Sequence, residues 1–270
     1  MNTKIFFTDM DGTLLNTEKQ ISPSTFETLK KWTSAGHKLV LCSGRALDSL
    51  LHVRQTLGLD FPNMYLIGCN GGEIYDCTSH TLLLRLGLSK DTTQKVFELA
   101  KQYHIHVQTY TDTHILTAKD GEELAYYHRF IHTPALITDD IMTHLEKDPC
   151  KCLAIELTNL ETLEQFRLAL IEQLGESIKT AYSNPYYVEI IPISSGKDFG
   201  VKWLCEYLNI PIENALAAGD EINDISMIET AGIGIAMLNA RTIVKEKADI
   251  ITDTDHNHDG LVPILENAMK

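Results

Sequence analysis

Both ends of the chain alternate short apolar segments with amphipathic segments, and this alternation restricts the possible fold more than any other feature. Near the start, apolar runs at 4–8, 37–42 and 64–69 each end at polar residues. Ser22 and Pro23 give the signal of a helix start between the first two runs. Repeated strand–helix units predict a parallel sheet covered by helices on both faces. Further predicted strands of this kind lie at 215–218, 233–236 and 249–252.

Residues 84–187 follow a different pattern. Helical periodicity at 96–103 and again at 163–174 is followed each time by alternating segments that favour paired strands. These segments are 104–110 with 114–117, and 177–181 with 186–191. We therefore predict an α/β fold with a Rossmann-like parallel-sheet core domain at 1–83 and 188–270. An inserted α+β cap domain would occupy 84–187.

Charge and hydropathy restrict the partners. The formal net charge of −14 argues against nucleic acid and anionic membrane surfaces, which bind basic proteins. No apolar run approaches the roughly 20 residues that cross a bilayer, and the first residues lack the pattern of a signal peptide. We expect a cytoplasmic protein, monomeric or homodimeric. The six cysteines lack zinc-site spacing, so we expect reduced, buried thiols.

Four carboxylates follow two of the predicted strands. Asp9 and Asp11 come directly after the first strand, and Asp220 and Asp224 follow the strand at 215–218. Carboxyl ends of parallel strands meet at one sheet edge, where ligands bind in open α/β sheets. Neighbouring carboxylates repel each other unless a hard divalent cation joins them, and Mg²⁺ suits a few carboxylates with substrate phosphate. The sequence therefore predicts a Mg²⁺ site formed by Asp9, Asp11, Asp220 and Asp224.

Other polar residues fall at the same edge, with alternatives that remain open. Ser43-Gly44-Arg45 could be an ordinary loop in which Arg45 pairs with an acidic neighbour, and Asn70 could belong only to a turn. Lys197 begins a predicted helix, where a lysine is unfavourable to the helix dipole, so a phosphate-facing role is indicated. A nucleotide P-loop is disfavoured there, because Ile191 stands at the position where the P-loop pattern requires its first glycine.

These segments together resemble a known family. Asp9–Leu14 is similar to the first motif of the haloacid dehalogenase-like superfamily of phosphohydrolases, and Ser43–Arg45 to its second. Lys197 is similar to the third motif and Gly219–Asp224 to the fourth. Their order, and a cap after the third strand, resemble the Cof-type branch. The chain departs from the family pattern at Asp198 and Leu238, where glycine is usual.

The resemblance implies roles for these residues. Asp9 would attack phosphorus and form an aspartyl-phosphate, and Asp11 would act as acid and then as base. The carbonyl of Asp11 would bind Mg²⁺ with the side chains of Asp9 and Asp220, and Asp224 would hold the ion directly or through water. The phosphoryl oxygens would be held by Ser43, Arg45, Asn70, Lys197, Asn223 and the amides of Met10 and Gly44.

We therefore expect a Mg²⁺-dependent phosphatase that hydrolyses phosphomonoesters of small metabolites, with sugar phosphates as substrates. The cap would close over the site and set the specificity. Two alternatives remain: a phosphomannomutase-like phosphotransferase, and a non-catalytic protein that binds a phosphorylated metabolite.

Overall fold

The computed structural model describes residues 2–131 and 133–270, and within them the chain forms two β-sheets. The strands are β1 (Ile5–Thr8), β2 (Lys38–Cys42), β3 (Met64–Gly68), β4 (Glu73–Asp76), β5 (Thr81–Arg85), β6 (His106–Tyr110), β7 (Ile115–Thr117), β8 (Ala135–Ile137), β9 (Cys152–Ile155), β10 (Ile178–Asn184), β11 (Tyr187–Pro192), β12 (Ala215–Gly219), β13 (Ile233–Ala236) and β14 (Ile250–Ile251). The α-helices are α1 (Pro23–Ser34), α2 (Leu47–Thr56), α3 (Lys90–Tyr103), α4 (Glu122–Tyr127), α5 (Leu160–Leu174), α6 (Lys197–Tyr207), α7 (Ile225–Thr230), α8 (Thr242–Lys245) and α9 (Val262–Ala268).

The larger sheet forms the core and has the order β14-β13-β12-β1-β2-β3-β4-β5. From β14 to β3 every neighbouring pair is parallel, whereas β4 and β5 are antiparallel additions. Helices cover both faces, because alternate strand residues point to opposite sides. Phe6 packs with Trp32 of α1 on one face, and Phe7 packs with Leu204 of α6 on the other. The predicted parallel-sheet core is confirmed.

The smaller sheet forms the cap and has the order β10-β11-β9-β6-β7-β8. Its strands are antiparallel except for the pair β7–β8. Helices α3 and α5 cover one face and bury Val96, Leu99, Leu163 and Phe166 against it. The other face carries the polar Gln108 and Glu189 together with an apolar cluster that includes Leu153 and Ile155. The insertion of an α+β module into the core is confirmed as architecture.

Local signals explain several element ends. Ser22 accepts a hydrogen bond from the Thr25 N–H at the start of α1, with Pro23 as its first residue. The predicted limits of the inserted module, 84 and 187, fall inside β5 and β11. Each limit therefore separates part of a strand from the sheet to which it belongs. We propose 86–192 as the cap, which leaves each strand with its own sheet.

Three strand features were absent from the prediction, one of them β8 at the edge of the cap sheet. The antiparallel pair β4–β5 extends the core sheet, and β9 lies inside the cap sheet between β11 and β6. Both β5 and β9 are short apolar runs of four or five residues, which periodicity alone does not assign. Within the described residues, no helix combines the length and hydropathy needed to cross a membrane.

Candidate active site

The residues at the centre of the candidate site follow parallel neighbours in the core sheet. Asp9 comes directly after β1 and donates its backbone N–H to the Ala218 carbonyl of β12 at 2.9 Å. Asp220 comes directly after β12. Lys197 is the first residue of α6, and its Nζ lies 2.7 Å from Asp9 Oδ1 and 2.5 Å from Asp224 Oδ1. Parallel pairing of β1 with β12 thus brings Asp9 and Asp220 together, and the start of α6 adds Lys197 from a third segment.

Three carboxylates and one ammonium share this space. Oxygen atoms of Asp9, Asp220 and Asp224 lie within 4.8 Å of one another. Burial and the nearby Asp224 carboxylate raise the pKa of Asp9 well above its usual range, and burial also raises the pKa of Asp220 to about 6. Lys197 alone cannot balance the three charges. A hard divalent cation with oxygen ligands fits this cluster.

Both carboxylate oxygens of Asp224 already accept hydrogen bonds from groups within the protein. Its Oδ1 contacts Lys197, and its Oδ2 accepts the backbone N–H groups of Asp220 and Glu221, each at 3.0 Å. The side chain is fully buried. Its position therefore fixes both the lysine and the loop that carries Asp220.

The side chain of Asp11 points to a different set of partners. Its Oδ1 accepts from Lys19 Nζ at 2.7 Å and its Oδ2 from Arg45 at 2.9 Å. Burial alone would raise the pKa of Asp11, but Arg45 and Lys19 outweigh this effect and lower it. The side chain is 40% exposed. Asp11 therefore lies at the open side of the carboxylate cluster and is held ionised.

The loop after β2 and the turn after β3 meet beside this cluster. Ser43 is buried, its carbonyl accepts the Asn70 backbone N–H at 3.0 Å, and its Oγ accepts the Arg45 N–H at 3.2 Å. Asn70 has φ 51° and ψ 44°, and both polar atoms of its buried amide lack a protein partner. Buried amides rarely remain unpaired, so this one has the capacity to bind a ligand.

Two further predicted residues lie next to the cluster. Met10 buries its side chain completely in the core, so only its backbone is available at the site. Asn223 is half-buried in the short 3₁₀ turn Ile222–Asp224, between Asp220 and α7.

Close backbone approaches explain two glycines at the site. Gly12 has φ 85°, and a Cβ there would collide with the Asp220 carboxylate. Gly71 has φ 96°, and a Cβ there would collide with the Gly196 carbonyl, next to Lys197. Glycine at these positions lets two distant loops pack in direct contact.

Three contacts at the site were not predicted from the sequence. Lys19 pairs with Asp11 from an exposed loop, and Lys151 of the cap donates to the Gly44 carbonyl at 2.7 Å. Cys69 and Cys150 form a disulfide between the core and the cap, which corrects the expectation that all six thiols are free. The two cysteines are 81 positions apart, and spacing gives no signal for such a pair. The thiols that remain free and buried are Cys42, Cys77, Cys152 and Cys205.

Comparison with known proteins agrees with this geometry. The family model described as haloacid dehalogenase-like hydrolase matches residues 6–265. A 5-amino-6-(5-phospho-D-ribitylamino)uracil phosphatase of Bacillus subtilis, YwtE, is 32% identical over 268 residues, covering 92% of each chain. The pyridoxal phosphate phosphatase YbhA of Escherichia coli is 30% identical over 261 residues, covering 93% of each chain.

A solved structure is similar over almost the whole length. The crystal structure of a haloacid dehalogenase-like hydrolase from Bacteroides thetaiotaomicron superposes with a TM-score of 0.89 at 29% identity, covering 98% of this chain and 99% of the other. Core and cap are therefore arranged in both proteins in a closely similar way.

Proposed function

This chain belongs to the haloacid dehalogenase-like hydrolase family, and we propose that it hydrolyses phosphomonoesters of small metabolites with Mg²⁺ as its cofactor. The curated relatives YwtE, YcsE and YbhA are named phosphatases, and the chain is a phosphoric monoester hydrolase. The observation that carries the proposal is the contact of Lys197 with both Asp9 and Asp224 beside Asp220.

Asp9 is the proposed nucleophile. Its carboxylate oxygen attacks phosphorus, the bond from phosphorus to the ester oxygen breaks, and an aspartyl-phosphate forms. Asp11 takes up a proton once its contacts with Lys19 and Arg45 are released, gives that proton to the leaving oxygen, and then takes one from the water that attacks the aspartyl-phosphate. This second step releases inorganic phosphate and restores the Asp9 carboxylate. For both proton transfers Asp11 must exchange its contacts with Lys19 and Arg45 for the reacting groups.

The phosphoryl oxygens need donors on several sides, since negative charge spreads over them during transfer. Lys197 provides a buried cation, and burial would lower its pKa, but Asp224 and Asp9 keep it raised and the side chain charged. The unpaired amide of Asn70 lies next to the Ser43–Arg45 loop and can donate as well. The proposed set is completed by Ser43, Arg45, Asn223 and the backbone amides of Met10 and Gly44.

The cation would be held by the side chains of Asp9 and Asp220 and the carbonyl of Asp11. When bound, it neutralises charge on the carboxylates and on the phosphoryl group. Since both oxygens of Asp224 already have protein partners, we propose that Asp224 acts through Lys197 or through a water.

The substrate is proposed at the level of a class. YwtE and YbhA are named for a phosphoribityl uracil and for pyridoxal phosphate, both small phosphorylated metabolites. We propose sugar phosphates as the first group to examine, with the cap facing the part of the substrate that carries no phosphate. A cytoplasmic monomer or homodimer agrees with this role.

Release of inorganic phosphate from an aryl phosphate tests the proposal. Activity should require Mg²⁺, disappear with EDTA and be lost in Asp9→Asn. Asp60→Asn is a matched control, because Asp60 is exposed and precedes β3, at the opposite end of the strands. Activity that survives Asp9→Asn would exclude the assigned nucleophile. Transfer to an added acceptor faster than to water would favour the phosphotransferase, and binding without turnover the non-catalytic alternative.

A further inference from the structure

Lys151 is a buried lysine of the cap whose side chain reaches the core. It lies immediately before β9, and its Nζ contacts Glu189 Oε2 at 2.8 Å and the Gly44 carbonyl oxygen at 2.7 Å. Its side chain is 2% exposed, and its ammonium lies 5.1 Å from the centre of the Tyr110 ring. Burial would lower the pKa of Lys151, but Glu189 and Tyr127 raise it, so the ammonium stays charged.

The bond to Gly44 reaches Ser43 through one peptide unit. The Gly44 carbonyl and the Arg45 N–H belong to the same peptide, and that N–H donates to Ser43 Oγ at 3.2 Å. Since a peptide unit is planar, a cation that fixes the carbonyl also fixes the direction of the N–H. A hydroxyl that accepts this bond keeps its own proton for another acceptor. In the proposed reaction that acceptor is a phosphoryl oxygen.

The backbone that carries Lys151 is tied to the core and to the cap sheet. Cys150, directly before it, forms the disulfide with Cys69, directly before Asn70. The Lys151 carbonyl accepts from Thr109 Oγ1 of β6 at 2.8 Å. Glu189 is itself held, because its other oxygen accepts from Ser183. These contacts hold the Lys151 ammonium next to the carbonyl oxygen of the Gly44–Arg45 peptide.

We propose that Lys151 is a positioning residue for phosphoryl transfer, which orients the Ser43 hydroxyl through the Gly44–Arg45 peptide while the cap lies against the core. The inference rests on the proposed function and deepens it. Lys151 touches no reacting atom. Its contact makes the strength of the Ser43 donor depend on a cap residue that the neighbouring Cys69–Cys150 disulfide holds against the core.

A double-mutant cycle with Ser43→Ala and Lys151→Met tests this coupling. The measurement is kcat and KM for an aryl phosphate with Mg²⁺. Ser43→Ala should lower kcat about 100-fold, as for removal of one donor to a developing charge, and Lys151→Met about 10-fold with little change in KM. If Lys151 acts through Ser43, adding Lys151→Met to Ser43→Ala should cost less than about 2-fold. An equal loss in both backgrounds overturns the inference.

Asp112→Asn is the matched control. It removes another contact between core and cap, the ion pair of Asp112 with Arg85, without touching the Gly44 loop. It should leave kcat unchanged in both backgrounds. A loss of kcat equal to that of Lys151→Met would show that any weakening of cap contact has this effect, and would overturn the specific role of Lys151.

A second variant tests whether a loss of kcat in Lys151→Met comes from misfolding. Lys151→Met leaves Glu189 buried without its cation, whereas Lys151→Met/Glu189→Gln removes that charge and should fold as the wild type does. Its unfolding in urea checks this, and the cycle is repeated with it. If the wild-type enzyme turns over no phosphomonoester, the proposed function itself fails. If the wild type is active and the cycle is additive, only the inference about Lys151 fails.

Discussion

Lys197 Nζ lies 2.7 Å from Asp9 Oδ1, although 188 positions of the chain separate the two residues. Lys197 begins α6, the first helix after the last strand of the cap, and Asp9 comes directly after β1, the first strand of the core. One contact therefore joins the first strand of the core to the helix with which the chain returns to the core after the cap.

Replacement of Lys197 by Met should destabilise the protein as well as inactivate it. The lysine side chain is 1% exposed, and its loss would leave the buried Asp9 and Asp224 carboxylates without their cation. Removing one partner of a buried ion pair costs about 3 kcal/mol or more in the free energy of unfolding. Urea unfolding in EDTA measures the loss. Lys95→Met, which breaks an exposed pair with Asp91, should change that free energy by less than about 0.5 kcal/mol.

Mg²⁺ should stabilise the folded protein by relieving repulsion among the three carboxylates. At a concentration of about 100 times its Kd, a ligand that binds only the native state adds roughly 2.7 kcal/mol to the free energy of unfolding. Asp220→Asn should raise the thermal midpoint measured in EDTA and reduce the further rise on adding Mg²⁺. An unchanged response of this variant to Mg²⁺ would exclude Asp220 as a ligand.

His37 should contribute less to stability at mildly acidic pH, whereas Asp9 and Asp220, whose pKa values are raised in the native state, contribute in the opposite direction. This histidine is buried, and its Nδ1 accepts the Lys4 backbone N–H at 3.1 Å, so the ring is neutral at that atom. Burial and the nearby Lys4 lower its pKa from the ordinary 6.5. Below pH 6.5 the unfolded chain binds a proton at His37 that the native state excludes, so the contribution of this histidine to the free energy of unfolding decreases as the pH falls through this value.

The measurement for His37 is urea unfolding between pH 5 and pH 8 or so, a range that brackets the ordinary histidine pKa. His37→Asn keeps an acceptor for Lys4 but does not titrate, so its free energy of unfolding should increase relative to that of the wild type as the pH is lowered. His80→Asn is the control: His80 is exposed with φ 55°, a conformation that asparagine tolerates. If both variants keep the wild-type slope, the assignment to His37 is wrong.

The disulfide between Cys69 and Cys150 should make stability depend on reductant. A bridge across 81 positions lowers the entropy of the unfolded chain. In the loop-entropy treatment, a bridge across 81 positions adds about 4 kcal/mol to the free energy of unfolding. Peptide mapping without reductant should recover the linked peptides, and dithiothreitol should lower the thermal midpoint of the wild type. Cys150→Ser should have the lower midpoint already and show no response to reductant.

Gly71→Ala should damage both stability and turnover. The new Cβ would meet the Gly196 carbonyl at a residue with φ 96°, and relief of that collision moves the segment that leads into Lys197. Gly58→Ala is a matched control, since Gly58 has φ 65° but open space around its Cα. Both variants carry the cost of a left-handed conformation, so the difference between them measures the collision. Equal kcat values for the two variants would contradict this explanation.

The sequence predicted the core of the site because each of its residues follows a recognisable strand. Asp9 and Asp220 could be placed at one edge from the strand–helix alternation alone, and the structure brings them together. Pairing of Arg45 with an acidic neighbour was one of the open alternatives, whereas the contact of Asp11 with Lys19 could not be foreseen, since it depends on the path of an exposed loop. Lys151 was missed for another reason: β9 was not recognised as a strand, so its preceding residue had no assigned place.

The contact of Gly71 with Gly196 has a consequence for how natural variation in this protein should be interpreted. Neither glycine carries a functional group, and neither would be found in a search for nucleophiles, acids or ligands. Yet a methyl group at position 71 would intrude on the segment that delivers Lys197. A harmful substitution here would look remote from the chemistry while acting on it directly. The close approach of the two loops therefore tolerates as little change as the charged atoms beside it.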